Sequence, residues 1–485
     1  MREAIALLIP AFAIGLFLYR SVGSSSARAV AASLALAFCL GIGFSSVVSI
    51  ALIVIGVAPT LRAFVVADIV VWTIVGVLGW LTKRTAQGRE PRAESRESWL
   101  LPVAFGVVAL VALASTIASS IATPHGDWDA WAIWNQHARF LFRGGDGAWR
   151  DFFSIGWSQP DYPLLLPASV ARVWAYAGHE STLGPILIAI GFGIACVTLV
   201  VTALDGHGRW IAGALMLGAT TFLTQVPSQC ADVPLACFIV ATLSVTFGDV
   251  LRIPDPGSRI PALVAGATSA MAAWTKNEGV VFVLLMLLVA VVAATRSPAK
   301  AATRGAAKPG HYVRSKLLWS IASAVPIFVA IVWFKLALAP ASGLVEGQSL
   351  TVLFTRLADP GRHMTVLGLM AQHAMRWSAP IAMAILPIVS LVAVWLAVRV
   401  GGTVRVMTSI LGLMLVSYYL VYVTTPFDIT WHVSTSIDRL LVQLWPAMVL
   451  TVFLGLQSSV SGPRSSISSP QSSVSSPQSS VSSPQ

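Results

Sequence analysis

The chain has 485 residues, of which 56% are hydrophobic and only 11% charged, with a mean hydropathy of +0.79. A soluble domain carries about 25% charged residues, so this composition excludes a soluble enzyme with a single anchor. The formal net charge of +11 does not indicate nucleic-acid binding, because the basic residues sit in short loops between apolar runs and build no basic face outside them.

Each crossing of a hydrocarbon core about 30 Å thick takes about 20 predominantly apolar residues. Thirteen runs qualify, near 3–19, 29–56, 62–81, 100–121, 182–203, 208–224, 228–248, 259–275, 278–295, 317–338, 378–398, 404–424 and 439–457. Some are short or abut one another, so eleven to thirteen spans are expected in an all-α polytopic membrane protein. The first run follows both Arg2 and Glu3, and no small-residue cleavage site follows Tyr19 and Arg20, so it reads as a retained span. The cysteines Cys39, Cys196, Cys230 and Cys237 have no disulfide or metal spacing. Cys39, Cys196 and Cys237 lie in apolar runs and read as small core residues.

Loop charge orients the chain. With segment 122–181 outside, loops 20–28, 82–99, 204–209, 249–259, 296–316, 399–405 and the C-terminal tail face the cytoplasm and hold more than half of the 31 Lys and Arg. The two densest basic loops, at 82–99 and 296–316, both fall inside, as the positive-inside rule requires. Three parts follow: N-terminal spans over 1–99, a membrane region over 100–457 with the large outward loop 122–181, and a tail at 458–485. The tail repeats SSISSPQ and SSVSSPQ with Pro in every unit, which reads as disordered low-complexity chain.

The outward segments collect the chemistry. A helix is expected over 128–142, with Asp127 placed to cap it. It is rich in Trp128, Trp131, Trp134, Phe140 and Phe142, while Asn135, Gln136, His137, Arg139 and Arg143 stay polar. Such a helix suits the headgroup zone, and interfacial anchoring accounts for most of the aromatics. It does not account for Asp127 and Asp129 at its start. Acids at i and i+2 can share a divalent metal, or one can act as a base while the other orients a ligand; the plain alternative is a solvated cap. Asp161 follows in the Pro-broken stretch SQPDYPLLLP, where turn capping is the alternative. Gln229 and Asp232 lie in VPSQCADVP, and Lys276, Asn277 and Glu278 in the turn WTKNEGV. Asp428, His432, Asp438 and Arg439 lie in TPFDITWHVSTSIDRLL. Charges near membrane depth are costly and are paired or functional. Lys276 with Glu278, and Asp438 with Arg439, are each open to reading as structural pairs. One topology puts all of these acids and cations on one face. No GxGxxG, Walker A, HExxH, GxSxG or CxxC site is present, so the sequence offers no soluble-nucleotide cofactor.

The segments GDWDAWAIWNQHARFLFRGG, PDYPLLLP, ADVPLACFIVATL, AAWTKNEGVVFVL and TPFDITWHVSTSIDRLLVQLWP, spread over about 122–450, resemble the GT-C superfamily of polytopic glycosyltransferases. That superfamily includes the protein O-mannosyltransferases and the lipid A aminoarabinose transferases. The chain departs from it in the spans that precede the large loop, in the Asp-Trp-Asp form of the acid motif, and in lacking a Pro-Pro-Leu form near Asp161. The resemblance implies a GT-C-like fold whose large first extracytoplasmic loop carries short surface helices. It also implies a polyprenyl-phosphate-linked sugar as donor and a glycan, lipid or protein hydroxyl as acceptor. The enzyme would lie in a bacterial inner (plasma) membrane with its site outward, and transfer would invert the anomeric centre. Asp127 or Asp129 would then be the base. Lys276, Arg439, Arg139 or Arg143 would stabilise the leaving phosphate. Asp161, Asp232, Glu278, His432 and Asp438 would line the donor site. A divalent metal on Asp127 and Asp129 is open but not required.

Two other classes compete. A secondary transporter predicts repeated halves and ionisable residues at mid-span, whereas no clear repeat is seen and the acids fall at run ends. An O-antigen polymerase or ligase predicts a long outward loop later in the chain, led by Arg and His.

Overall fold

The computed structural model describes residues 1–22, 26–81, 99–248, 250–251, 253, 258–301, 309–344, 346–380 and 382–460. Basic segments 82–98 and 302–308, expected as cytoplasmic loops, and the tail from 461 onward, expected as disordered chain, lie outside these residues.

The chain runs through α1 (Arg2–Val22), α2 (Ala27–Val54), α3 (Leu61–Leu81) and α4 (Leu100–Ala122). A five-residue π-helical turn, Ala130–Trp134, leads into α5 (Asn135–Arg143), and 3₁₀ turns follow at Gly145–Ser154 and Gly156–Ser158. Then come α6 (Leu165–Ala177), α7 (Leu183–Ala203), α8 (Gly208–Gly218), α9 (Thr220–Gln225), α10 (Asp232–Phe247), α11 (Ile260–Thr275) and α12 (Asn277–Ala301). The last six are α13 (Pro309–Ala337), α14 (Leu350–Leu357), α15 (Pro360–Arg376), α16 (Ile385–Arg399), α17 (Gly402–Thr424) and α18 (Ile429–Val460). Among the described residues there is no strand.

Eight helices are long and apolar enough to cross a membrane: α1, α2, α3, α4, α7, α13, α17 and α18. Shorter apolar stretches of 10–17 residues lie in α10, α11, α12 and α16. The polytopic all-helical expectation holds, but only these eight reach full span length among the described residues. The run at 208–224 is broken. Ala219 is extended (φ −80°, ψ 109°) between α8 and α9, and the freed Thr220 N–H is taken up by Ser378 Oγ at 3.0 Å. A side chain thus replaces a lost helical bond where no lipid could supply one. The run at 439–457 is not a separate helix either; it is the second half of α18.

Burial sorts the helices. α10 is apolar on every side and buried from Asp232 through Val245, as expected of a helix at the centre of a bundle. It packs against α7, α11 and α18. α3, α4, α13 and α16 instead turn large apolar side chains outward, among them Ile69, Val107, Leu110, Val329, Leu391 and Val394. Exposed apolar surface on this scale calls for a nonaqueous surrounding. Small residues set the closest approaches: a Cβ added to Gly266 on α11 would lie 2.0 Å from the Ser320 carbonyl oxygen on α13.

The first three helices do not stand apart. α1 and α2 pack on α6 and α7, and α3 on α1 and α6. Asp68 of α3 forms a buried ion pair with Arg172 of α6, and Trp72 Nε1 and the Tyr176 hydroxyl donate to the same carboxylate. Arg172 also donates to the Ala6 carbonyl of α1.

Candidate functional site

The segment after α4 is pinned to the segment before α10. Gly126 has φ +70°, and a Cβ there would lie 2.4 Å from the Ser228 carbonyl oxygen. That close approach lets the Asp127 N–H donate to Ser228 O at 3.1 Å. Gln229, itself at φ 59°, donates to Pro124 O at 3.0 Å and accepts from Asn135 Nδ2 at 3.2 Å. The Asp127 carbonyl starts the helical turns, accepting from Ala130 N and Trp131 N. Its carboxylate does not cap them: it accepts no hydrogen bond from a described residue and is exposed. Asp129, two residues further on, is half-buried and turned inward.

Beneath this loop lies a buried ionic network. Arg439 Nη1 of α18 meets Asp129 Oδ2 at 2.5 Å, and Arg439 Nε stands 3.4 Å from Asp232 Oδ2. Asp232 opens α10 and is completely buried; its Oδ1 takes Lys276 Nζ at 2.9 Å and Gln443 Nε2 at 2.7 Å. Lys276 breaks α11 from α12 in an extended conformation and also holds Glu278 at 3.0 Å. The break fits because residue 279 is glycine: a Cβ there would lie 1.9 Å from the Ala272 carbonyl oxygen. Tyr418 donates to Gln443 Oε1 at 2.8 Å and closes the far end. Asp129 and Arg439 are 310 positions apart in sequence.

A second group adjoins the first through Asn277. Its Nδ2 donates to Asp161 Oδ2 at 2.8 Å, and its Oδ1 accepts from Lys335 Nζ of α13 at 2.8 Å. Lys335 Nζ lies 3.6 Å from the Asp161 carboxylate. Asp161 is therefore a tertiary partner and not a turn cap. The neighbouring Tyr162 stacks on Trp134 with ring centroids 5.3 Å apart, and Lys276 Nζ lies 5.7 Å from the Tyr162 ring.

The carboxylates outnumber the cations. Asp127, Asp129, Asp232 and Glu278 face Lys276 and Arg439. Asp232 Oδ2, Glu278 Oε2 and Arg439 Nε make no hydrogen bond among the described residues although buried. At the loop, desolvation raises the Asp127 carboxyl above its ordinary value; Arg439 pulls it down by less, and Asp129 adds to the rise. Beside it an open cavity of about 510 Å³ is lined by Thr123, Pro124, His125, Gly126, Trp131 and Arg139. Among the described residues, no three or more His, Cys, Asp or Glu are grouped to hold a metal. Asp129 is already engaged by Arg439, whereas the Asp127 carboxylate has no hydrogen-bond partner among the described residues.

Several sequence expectations are thereby corrected. Asp438 does not pair with Arg439: it faces His373 of α15 at 3.2 Å, because residues adjacent on a helix point about 100° apart. Arg139 and Arg143 both pair with Glu180, away from the acid network, although Arg139 still lines the cavity. His432 accompanies Thr425 and the Tyr422 ring, about two helical turns from Arg439. Asp428 caps α18 through Trp431 N at 2.8 Å. Of the tryptophans expected at an interface, Trp128 and Trp131 are exposed, but Trp134 is buried in the core. The pairing of Lys276 with Glu278 is present, extended by Asp232. Lys335, Gln443, Tyr418 and Tyr162 were not singled out from the sequence. Gln443 had a legible signal, a polar side chain one helical turn beyond Arg439 in an apolar run. Lys335 had none, since a lysine near a span end ordinarily extends its amine to the interface. No protein-family model matches the chain, and neither does any curated protein or solved structure.

Proposed function

We propose that the chain is a membrane glycosyltransferase that moves a sugar from a polyprenyl-phosphate donor to an acceptor hydroxyl, at the bundle end carrying Asp127, on the extracytoplasmic side. The observation that supports it is the joining of Asp129, Asp232, Lys276, Glu278 and Arg439 into one network under an uncommitted acid. These residues come from four of the five segments that carry the GT-C resemblance, and the fifth, with Asp161, adjoins through Asn277.

The geometry favours Asp127 over Asp129 as base. Asp129 is tied to Arg439, whereas Asp127 is exposed, makes no side-chain hydrogen bond to a described residue and has a raised carboxyl. A raised carboxyl accepts a proton more readily once ionised. In the proposed reaction Asp127 takes the acceptor hydroxyl proton. The oxygen forms a bond to the anomeric carbon as the carbon–phosphate oxygen bond breaks, and the polyprenyl phosphate leaves with that electron pair on the opposite face. Arg439, with 21% of its side chain exposed against 2% for Lys276, is the cation of the network that a phosphate can approach. Asp232 and Lys276 position it from below. A divalent ion, if used, would have Asp127 and Asp129 as protein ligands and would need the donor phosphate and water to complete its shell.

The test is transfer from radiolabelled polyprenyl-phosphate sugars by purified protein in vesicles. Asp127→Asn is expected to reduce transfer by about 10²–10⁴-fold. Asp129→Asn is expected to weaken donor affinity more than turnover. Wild-type rates in both variants would remove the catalytic assignment. The helix breaks at Ala219 and Lys276 favour a second reading, a cation-coupled transporter. Solute uptake by the same vesicles, with no transfer from any donor, would establish it instead.

A further inference from the structure

The segment between α13 and α16 was not singled out from the sequence. It holds α14, of 8 residues, and α15, of 17, and neither is among the helices long and apolar enough to span. It lies at the same end of the bundle as the ionic network, since His373 of α15 meets Asp438, the neighbour of Arg439.

Both helices leave large apolar side chains on their outer face. Arg356, Arg362 and His363 turn into the protein, while Arg376 at the end of α15 stays exposed. Arg356 donates to Thr424 O at 2.9 Å, and Arg362 donates to Val423 O at 2.7 Å and Thr425 O at 2.8 Å. Together they close the carbonyl end of α17, where a helix leaves acceptors unpaired and favours positive charge. His363 meets the Tyr419 hydroxyl. A stripe of large apolar side chains points away from the protein, opposite the face on which Val366, Leu369 and Met370 pack inward. Leu350 is 73% exposed and Phe354 68% on α14; Met364 is 72%, Leu367 52% and Met375 46% on α15. On α15 the exposed positions 364, 367, 371 and 375 recur every three or four residues, which is one helix face. A helix resting on a protein in water buries such a stripe and exposes its charges. Here a second apolar stripe stays exposed although α15 already packs Val366, Leu369 and Met370 inward, so the stripe meets something other than water.

Continuity identifies what that is. α15 packs against α16 and α17, whose outward sides carry exposed Leu391, Val394, Trp395, Val416 and Leu420. The stripe extends a surface that already faces lipid. Gln372 and Arg376 are also exposed on α15, which suits headgroup depth and not the bilayer centre. We propose that α14 and α15 form a non-spanning pair embedded at the headgroup–acyl boundary of the leaflet at the site's end, with bilayer lipid as the partner of the apolar stripe. An embedded helix of this kind sits about 5–10 Å into that boundary. Because the pair grips α17 at its end and α18 at Asp438, its depth sets the depth of the network beneath Asp127. The inference requires membrane insertion only and is independent of the reaction.

The experiment uses the full chain in vesicles, with Leu367→Cys and Phe354→Cys each carrying a polarity-sensitive fluorophore; the four native cysteines are buried. Val394→Cys on α16 and Ala148→Cys in the loop after α5 serve as references. Both stripe labels are expected to emit to the blue of the Ala148 label. They should be quenched several-fold more by lipids brominated near the headgroup than by lipids brominated at the chain ends, with Val394 showing the opposite preference. Iodide quenching equal to that at Ala148 would overturn the proposal. So would protection from both quenchers that disappears on dilution with lipid, which would assign the stripe to a second copy of the chain. A Met364→Cys label tests the same face should either first variant fail to fold.

Discussion

Two buried ionic clusters lie in the same bundle and are built on different terms. Asp68, Arg172, Tyr176 and Trp72 form a closed clasp: one acid, one cation and two neutral donors aimed at the acid, with no buried side-chain atom of the four left without a partner among the described residues. The cluster of Asp129, Asp232, Lys276, Glu278 and Arg439 holds three acids against two cations, leaves Glu278 Oε2 without a hydrogen bond and Asp232 Oδ2 and Arg439 Nε joined only by their 3.4 Å ion pair, and reaches an exposed fourth acid at Asp127. A closed pair in a low-dielectric interior has fixed geometry and nothing left to bind. An open one carries charge that a bound group could complete. Buried charge by itself therefore does not mark a site; incomplete charge beside a route to the surface does.

The comparison breaks most directly at the clasp. Asp68→Asn leaves Arg172 without its counter-ion at a position where both side chains are buried, and is expected to cost about 3–5 kcal/mol of stability. Thermal unfolding in a fixed detergent checks it. Replacing both partners, Asp68→Leu with Arg172→Met, should recover most of the loss, because two well-packed apolar groups avoid the desolvation of both charges. If the single variant unfolds like the wild type, the clasp is not structural and the contrast fails.

Asp232→Asn sharpens the other side. Arg439 keeps Asp129, Lys276 keeps Glu278, and the amide retains an acceptor for Gln443. The expected cost is smaller, about 1–3 kcal/mol for the bonds weakened, even though Asp232 is the more deeply buried acid. A loss as large as that of Asp68→Asn would show that the network is also a closed structural unit.

These two clusters also show how far the sequence could be read. The bundle was legible because apolar runs and basic loops have periods and lengths that the bilayer imposes, and each of the thirteen runs is largely helical among the described residues, 208–224 being interrupted at Ala219. The break at Ala219 was not, since nothing in GALMLGATTFL is foreign to a helix interior beyond its glycines; a side chain from 378 makes the break tolerable. Within the site, charge at run ends indicated Asp232, Lys276 and Glu278, because membrane depth makes such residues costly. The partners were hidden. Arg439 was read beside Asp438, yet helix geometry sends them apart. Lys335 reaches Asp161 across 174 positions, which no local pattern encodes. The outward apolar stripe of α14 and α15 was equally hidden, because the sequence does not say which apolar face of a helix turns outward.

The loop itself carries a titratable group that responds to acid in the opposite sense from Asp127. His137 of α5 is buried, stacks on Phe152 with ring centroids 4.3 Å apart and meets Ser158 Oγ at 3.1 Å. Burial lowers its pKa from the ordinary 6.5 to about 3. The folded loop thus holds the neutral ring, while the unfolded loop takes up a proton below about 6.5. The stabilisation is complete above that pH and is lost as pH falls from 6.5 toward 3. Hydrogen-exchange protection over residues 135–158, taken relative to the intrinsic exchange rate at each pH, should therefore fall between pH 6.5 and 5 in the wild type. It should stay flat in His137→Phe, which keeps an aromatic ring on Phe152 without the titration. The same slope in both proteins would place the sensitivity elsewhere.

The smallest effect on stability is expected at the residue with the largest expected effect on transfer. The Asp127 carboxylate accepts no hydrogen bond from a described residue, and folding raises its pKa through desolvation, so the fold disfavours its ionised form. The sign follows: the contribution of Asp127 to stability weakens as pH rises through the folded pKa, so Asp127→Asn should be neutral or slightly stabilising at neutral pH, within about 0.5 kcal/mol. Transfer has the opposite requirement. A base must be ionised, so the rate should fall as pH drops through the raised carboxyl, at a higher pH than an ordinary aspartate would give. Parallel melting curves and pH–rate profiles test both halves. A variant that unfolds early would make Asp127 one more structural acid like Asp68, whereas one that melts with the wild type and loses transfer would separate the two clusters by function.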